Sequence, residues 1–196
     1  MSKEFYERKY IKYKLKYLNE KIKMMGGVGE NITAPCWYNG NIVNVKNVAG
    51  LILTKSNNVY KILLLRDIKN KLWMTPGGGI SSIDLKSHPC FSALKREFKE
   101  ETGSELPKLK GISGNKEVDK YLYNNDTMIF IGIAKEQDID NVVNNFKETK
   151  ETDKIGSYDL ESVIRGTANI KLKGYVSNSL NEIKGILIKN QIIRMY

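Results

Sequence analysis

The 196-residue sequence has few residues that build covalent or metal frameworks, since it contains two cysteines and one histidine. Cys36 and Cys90 lack the close spacing of a metal-binding motif and suggest no disulfide framework. We therefore expect two reduced thiols and a reducing compartment. His88 stands before Pro89, directly ahead of a helical segment, and this position predicts a loop or helix-terminal role for it.

Long apolar stretches are also missing. No run approaches the roughly 18 residues that a membrane-spanning helix needs, and the N-terminus has no apolar core of a secretory signal. We therefore expect no transmembrane segment. A chain with 41% apolar and 28% charged residues is expected to form one folded domain with an accessory segment.

Positive charge is in excess and is unevenly distributed. The net charge is +10, and the first 25 residues contribute half of it, with eight basic residues against three glutamates. This balance favours polyanionic partners such as RNA, nucleotides or inositol polyphosphates.

The N-terminal segment has helical periodicity. Tyrosines recur at steps of four, three and four residues from Tyr6 to Tyr17, and isoleucines and leucines recur beside them. We expect a basic amphipathic helix over residues 1–25, ended by Gly26 and Gly27, and a linker over 26–40. Such a helix could pack on its own domain, or bind RNA, a protein partner or an anionic membrane surface.

Strand and helix patterns alternate irregularly over residues 41–196, which we expect to form the main domain. This alternation predicts an α/β or α+β fold with a mixed sheet. The expected strands cover residues 48–53, 59–65, 72–74 and 127–134. The expected helices cover residues 89–102, 138–150, 159–165 and 177–193.

One helical turn carries a group of three acids. Glu97, Glu100 and Glu101 have the spacing i, i+3 and i+4, so they share one helix face and flank the apolar stripe of Leu94 and Phe98. Carboxylates this close repel each other. Divalent Mg²⁺ or Mn²⁺ would offset that repulsion, because these ions prefer oxygen ligands. A charged, solvated helix face is the alternative.

The segment from Arg96 to Gly103, Arg-Glu-Phe-Lys-Glu-Glu-Thr-Gly, resembles the core of the Nudix box, R-E-U-x-E-E-x-G, where U is a bulky apolar residue. The preceding Trp73-Met74-Thr75-Pro76-Gly77-Gly78 resembles the W-x-x-P-G-G approach of the same family. The resemblance implies a Nudix-type α/β/α sandwich with its box at 78–104. It also implies a metal-dependent hydrolase that cleaves a phosphoanhydride bond in a nucleoside-diphosphate-linked substrate.

The sequence departs from the Nudix box in the loop. Between Gly78 and Arg96 there are 17 residues where the box has 13, and the position of the early glutamate falls on His88. We expect Asp84, within the longer loop, to replace that acid. Ser104 stands at the final apolar position. These departures are expected to affect loop geometry and substrate choice more than metal binding.

The resemblance also implies roles for individual residues. The catalytic residues would be Glu97, Glu100 and Arg96, and the ligands of Mg²⁺ or Mn²⁺ would be Glu97, Glu100, Glu101 and the backbone of Gly78. Substrate would contact Gly77, Gly79 and Trp73, and the Tyr121-Leu122-Tyr123 patch could stack on a base. The general base would be a box glutamate or a later acid, for which the candidates are Glu148 and Glu151, ahead of Glu136 and Asp138.

The lysine- and tyrosine-rich segment 9–18, followed by Gly26-Gly27, resembles N-terminal leaders of giant cytoplasmic DNA viruses. It implies a location in the host cytoplasm or the virion, and possible cleavage at the glycine pair. Viral Nudix enzymes include mRNA-decapping enzymes and diphosphoinositol polyphosphate hydrolases. We expect capped RNA as the first candidate substrate, with diphosphoinositol polyphosphates and nucleotides as alternatives. A non-catalytic nucleotide- or RNA-binding module is the competing class.

Overall fold

The computed structural model describes Tyr13, residues 32–113 and residues 118–193. Apart from Tyr13, which is helical and exposed, the segment 1–25 that is expected to form a basic helix lies outside the described residues. The glycine pair at 26–27 and the first part of the expected linker lie outside them as well. The viral resemblance, the cleavage site and the partners of this segment stay predictions.

Strands and helices follow one another in a mixed order. The strands are β1 (Ala34–Tyr38), β2 (Asn41–Val45), β3 (Asn47–Ser56), β4 (Val59–Asp67), β5 (Trp73–Met74), β6 (Gly77–Gly79), β7 (Lys110–Gly111), β8 (Asp119–Tyr123), β9 (Thr127–Ile133) and β10 (Thr152–Asp159). The helices are α1 (Pro89–Thr102), α2 (Glu136–Asn144), α3 (Leu160–Arg165) and α4 (Gly174–Lys189), and a 3-10 helix covers Ser82–Lys86.

The main sheet is mixed and has eight strands. Its central order is β10-β4-β3-β9-β7, and the short strands β5, β6 and β8 pair with β4, β3 and β9. Strands β3 and β9 run parallel, whereas the other pairs of this sheet are antiparallel. Strands β1 and β2 form a separate antiparallel hairpin.

Helices cover both faces of the sheet. The side chains of a strand alternate between the two faces, so neighbouring residues of β3 pack against different helices. Ala49, Leu51 and Leu53 of β3 pack into a buried cluster with α3 and α4. Val48 packs with α1, and Ile52 packs into a cluster that holds residues of α1 and α2. The expected α+β fold, with a mixed sheet between two helical layers, is therefore confirmed. Among the described residues, no helix is both long and apolar enough to span a membrane.

Local signals placed α1 correctly at both ends. Pro89 occupies the first turn, and Gly103 adopts a left-handed φ of 72° while its N–H donates to the carbonyl of Lys99 at 2.8 Å. The expected helix over 138–150 is wrong beyond Asn144, and the strand Thr152–Asp159 that follows was not predicted. Helix α4 starts three residues before its expected position and ends at Lys189.

The expected linker over 26–40 is wrong in its C-terminal part. Residues Ala34–Tyr38 form a strand that pairs with Asn41–Val45, and Ala34 is fully buried. The folded domain therefore begins before residue 41. Asn39 and Gly40 form the turn of this hairpin with φ values of 46° and 81°, and such an Asn-Gly pair is a local hairpin signal that the linker prediction overlooked.

The cysteines form a disulfide, so the expectation of two free thiols is wrong. Cys36 of β1 is bonded to Cys90 in the first turn of α1, and both residues are buried. Their Cα atoms are 6.1 Å apart, within the range that a disulfide requires. Only the tertiary contact between β1 and α1 creates this proximity, and the inference to a reducing compartment loses its basis.

Candidate active site

The segment Gly77–Gly79, called the glycine turn below, lies over one face of α1. Strand β6 pairs with Asn47–Ala49 of β3, and this pairing brings Gly77 and Gly78 to the helix. Gly77 has a φ of +154°, and a Cβ atom there would lie 2.2 Å from the carbonyl oxygen of Val48. Glycine is required at this position because the backbone must approach its neighbour strand so closely.

Glu101 is bonded to this turn. Its Oε2 accepts a hydrogen bond from the N–H of Gly77 at 2.9 Å, and its side chain is buried. Burial raises the pKa of Glu101 well above its ordinary value, although the Gly77 N–H lowers it. The negative charges of Glu97 and Glu151 raise this pKa further.

The carboxylate of Glu97 lies against Gly78. A Cβ atom at residue 78 would lie 2.5 Å from the carboxyl carbon of Glu97, so only glycine leaves room for the acid. Burial raises the pKa of Glu97, and the neighbouring Arg96 opposes that shift. Glu100 and Glu151 add repulsion that raises the pKa again. Glu97 and Glu101 therefore both contact the glycine turn, and the cations near them do not fully neutralise their negative charge.

Arg96 holds the loop and the helix acids together. Its Nη1 atom lies 2.7 Å from Glu97 Oε1 and 3.0 Å from Glu100 Oε2. Its Nη2 atom donates to the carbonyl of Gly79 at 2.7 Å and to Asp84 Oδ2 at 3.1 Å. Burial acts against the cation, but the bonds to the acids outweigh it and raise the pKa of Arg96.

A cleft of about 480 Å³ opens beside these groups. Glu101, Gly77 and Gly78 form part of its wall, and Glu151, in the turn before β10, also lines it. That turn is held by the bond from the Ile68 N–H to the Glu151 carbonyl at 2.9 Å. Asn47, Val48, Ala49, Asp67, Ile68, Lys69, Met74, Tyr123, Thr127, Lys173 and Tyr175 complete the lining.

Three lining groups had no counterpart in the sequence predictions. Lys173 Nζ lies 2.6 Å from Asp67 Oδ2, which places a cation and its partner at the cleft. Tyr175 donates to the carbonyl of Thr75 at 3.4 Å, and burial raises the pKa of Tyr175 to about 12. These residues come from separate parts of the chain, and no local pattern marked them. The predicted aromatic patch did include Tyr123.

The predicted site residues have different environments. Glu97 and Glu101 are buried at the glycine turn, whereas the side chain of Glu100 is 58% exposed and held by Arg96. Glu151 lines the cleft, and Glu148 is not among its lining residues. Trp73 does not line it either, because its ring packs edge-on against Tyr158 with centroids 4.8 Å apart.

The donor chemistry of the cleft fits a hard cation. Within the part of the chain that the structure describes, no three histidine, cysteine or acidic side chains converge closely enough to hold a metal. Glu97, Glu101 and Glu151 nevertheless repel one another around the cleft, as their effects on the pKa of Glu97 and Glu101 show. Their oxygens are of the type that Mg²⁺ and Mn²⁺ prefer. Glu97 and Glu101 could therefore contribute oxygen ligands to a metal ion, with Glu151 near them and Glu100 outside this group.

No family model matches the chain, and no curated protein matches it. An Ap4A hydrolase of C. elegans, solved as a binary complex, is 17% identical, with 74% of this chain and 98% of that chain covered and a TM-score of 0.49. A mutT/nudix family protein from Listeria innocua is 15% identical, with coverage of 76% and 96% and a TM-score of 0.49. The NUDIX domain of Shewanella oneidensis NrtR, complexed with ADP ribose, is 13% identical, with coverage of 73% and 88% and a TM-score of 0.45. These likenesses assign neither an activity nor a substrate to the chain.

Proposed function

We propose that the protein is a Nudix-type hydrolase that cleaves a phosphoanhydride bond with a divalent cation. One observation carries this proposal: Glu101 and Glu97 of the Arg96–Gly103 segment contact Gly77 and Gly78 directly. The segments Trp73–Gly78 and Arg96–Gly103, which carry the two parts of the sequence motif, thus come together beside one cleft. A solvated helix face would leave these acids exposed, and Glu101 is only 2% exposed.

In the proposed mechanism, Glu97 and Glu101 would hold Mg²⁺ or Mn²⁺, and Glu151 lines the same cleft as Glu101. When bound, the cation would offset the negative charge that develops on the phosphate oxygens. Arg96 orients Glu97 by a charge-assisted bond. Glu151 accepts a proton from the attacking water, because it is a carboxylate at the cleft outside the box helix.

The cleft supports a nucleoside-diphosphate-linked substrate. Tyr123 and Tyr175 supply aromatic surface for a base, and Lys173 supplies a cation for a phosphate. Among the described lining residues, Lys69 and Lys173 are the basic ones, and Lys173 is already paired with Asp67. Two lysines provide little positive charge for a diphosphoinositol polyphosphate, because its ring carries many phosphates. Within the nucleotide class we propose the mRNA cap, because the chain is strongly basic.

A panel of substrates with Mg²⁺ and Mn²⁺ tests the proposal. It includes capped RNA, dinucleoside polyphosphates, nucleotide sugars and a diphosphoinositol polyphosphate. We expect turnover of the nucleoside-linked members and about a hundredfold or larger loss of kcat in Glu101→Gln, because a charge that acts in the transition state is removed.

Glu148→Gln is the matched control, since Glu148 is an exposed acid that does not line the cleft. Normal turnover in folded Glu101→Gln would contradict the enzyme assignment. Tight nucleotide binding by the wild type without hydrolysis of any substrate would instead favour the binding-module class.

A further inference from the structure

A second cavity, of about 550 Å³, shares no lining residue with the cleft. It lies between β1, the N-terminal half of α1 and the strands β8 and β9. Its floor is apolar and includes Met128 and Phe130, both buried. The proposed hydrolysis uses none of these residues, so the cavity needs an explanation of its own.

Aromatic rings line this cavity. Trp37 of β1 lines the cavity and is 37% exposed, so part of its ring is accessible to solvent. Phe91 of α1 is half-buried and packs on Phe130, with ring centroids 5.4 Å apart. The cavity therefore presents flat apolar surface that is accessible from solvent, which suits a planar ligand.

Basic residues surround the same opening. Lys95, Lys108 and Lys120 are exposed lining residues, and Lys95 Nζ stands 5.0 Å from the centre of the Phe91 ring. Among the described residues, no acid lines this cavity, whereas Asp67, Glu101 and Glu151 line the cleft. The two openings thus differ in charge, and the second one complements an anion.

The Cys36–Cys90 disulfide holds these features together. Both sulfur-bearing residues line the cavity. The bond joins the strand that carries Trp37 to the helix that carries Phe91 and Lys95. The aromatic and basic parts of the opening are therefore fixed relative to each other before any ligand arrives, which lowers the entropic cost of binding.

We propose that this cavity binds single-stranded nucleic acid. A base stacks on Trp37 or Phe91, and the backbone phosphates contact Lys95, Lys108 and Lys120. Aromatic platforms combined with a basic groove are the means by which proteins bind single strands without reading their sequence. A base in a duplex cannot reach such a platform, so the site prefers single strands. The site does not depend on the proposed hydrolysis.

The test measures fluorescence anisotropy of a labelled twelve-nucleotide oligouridylate with the full-length protein in EDTA, which prevents metal-dependent cleavage. The triple variant Lys95→Ala, Lys108→Ala, Lys120→Ala is expected to weaken binding by about tenfold or more at low salt, since it removes phosphate contacts. The matched control replaces Lys135, Lys184 and Lys189 with alanine. This control removes the same charge from exposed positions outside the cavity and is expected to change the Kd much less.

Trp37→Leu tests the stacking separately. It is expected to weaken binding by about tenfold, because stacking of one base contributes about 1–3 kcal/mol. We also expect oligouridylate to quench tryptophan fluorescence in the wild type, and Trp37→Leu should abolish that quenching. Oligodeoxythymidylate should bind as well, and a duplex of equal length should bind more weakly. Equal weakening by the two triple variants, unchanged binding by Trp37→Leu, or tighter binding of the duplex would overturn the proposal.

Discussion

Asp84 and Arg96 are twelve positions apart and meet beneath the glycine turn, with Arg96 Nη2 3.1 Å from Asp84 Oδ2. Asp84 is buried and also caps the 3-10 helix by accepting from the N–H of Ser81 at 2.9 Å. The loop between Gly78 and Arg96, which is longer than in the Nudix box, thus supplies Asp84 as the partner of Arg96. Asp84 stands before His88, the position that corresponds to the early glutamate of the box.

Asp84→Asn should destabilise the protein, because it leaves the half-buried Arg96 with weaker bonds. We expect the free energy of unfolding to fall by about 1–3 kcal/mol, as for hydrogen bonds between charged groups. Urea denaturation measures this change. Glu105→Gln is the control, since its partner Lys99 is exposed on the same helix and little should change. Equal stability of the two variants would show that the Asp84–Arg96 contact contributes nothing.

Gly78→Ala should affect activity more than stability. The added methyl group would meet the carboxylate of Glu97, which can turn aside but then leaves its position against Gly78. We expect kcat to fall by about a hundredfold, the usual effect of a small displacement of a catalytic group. Gly185→Ala is the control, because a Cβ there meets open space. Full activity in Gly78→Ala would mean that Glu97 is not needed where it lies.

Glu151→Gln should separate the two candidates for the general base. We expect its kcat to fall by about a hundredfold to ten-thousandfold, the range for general acid–base catalysis. Glu148→Gln should keep nearly normal turnover, because Glu148 does not line the cleft. Steady-state kinetics on the best substrate of the panel decides between them. The reverse order of effects would exclude Glu151 as the base.

Glu101→Gln should stabilise the metal-free protein at neutral pH. Burial raises the pKa of Glu101, so the folded state disfavours its carboxylate. Stability of the wild type should therefore fall as pH rises from the ordinary value of 4.5 towards the raised value. Glu101→Gln does not lose stability in this way. The difference in the free energy of unfolding between wild type and variant should vanish below about pH 4, where Glu101 is protonated in both the folded and the unfolded state. Urea denaturation between pH 4 and 8 in EDTA measures it, and a less stable variant at pH 8 would contradict the sign.

The double variant Cys36→Ser, Cys90→Ser should unfold more easily. The disulfide joins two residues that are 54 positions apart in the sequence. Loss of a disulfide that closes such a long loop typically costs about 2–4 kcal/mol. Wild type unfolded in the presence of a reductant should approach the stability of the variant. Thiol titration of the native, unreduced protein is the check, and two reactive thiols would contradict the bond.

Much of the site helix followed from the sequence alone. The limits of α1 follow from Pro89 and Gly103, because capping depends on neighbouring residues. The 100° step of a helix also places Glu100 farther from the apolar stripe than Glu97 and Glu101, in agreement with its exposure. Apolar runs likewise located β3, β4 and β9. These features share one cause, namely interactions within a few residues of the chain.

Tertiary structure decided the rest. Several features join segments that are distant in sequence: the pairing of β10 with β4, the disulfide, the Asp67–Lys173 pair and the position of Glu151. Strand β10 has few apolar residues and is stabilised by its pairing with β4, so no local pattern marked it. Burial by other elements likewise changed the glutamates from charged surface groups into acids with raised pKa values. The sequence determined which groups the site contains, and the packing of the sheet determined which of them meet, because long-range contacts arise only when the chain has folded.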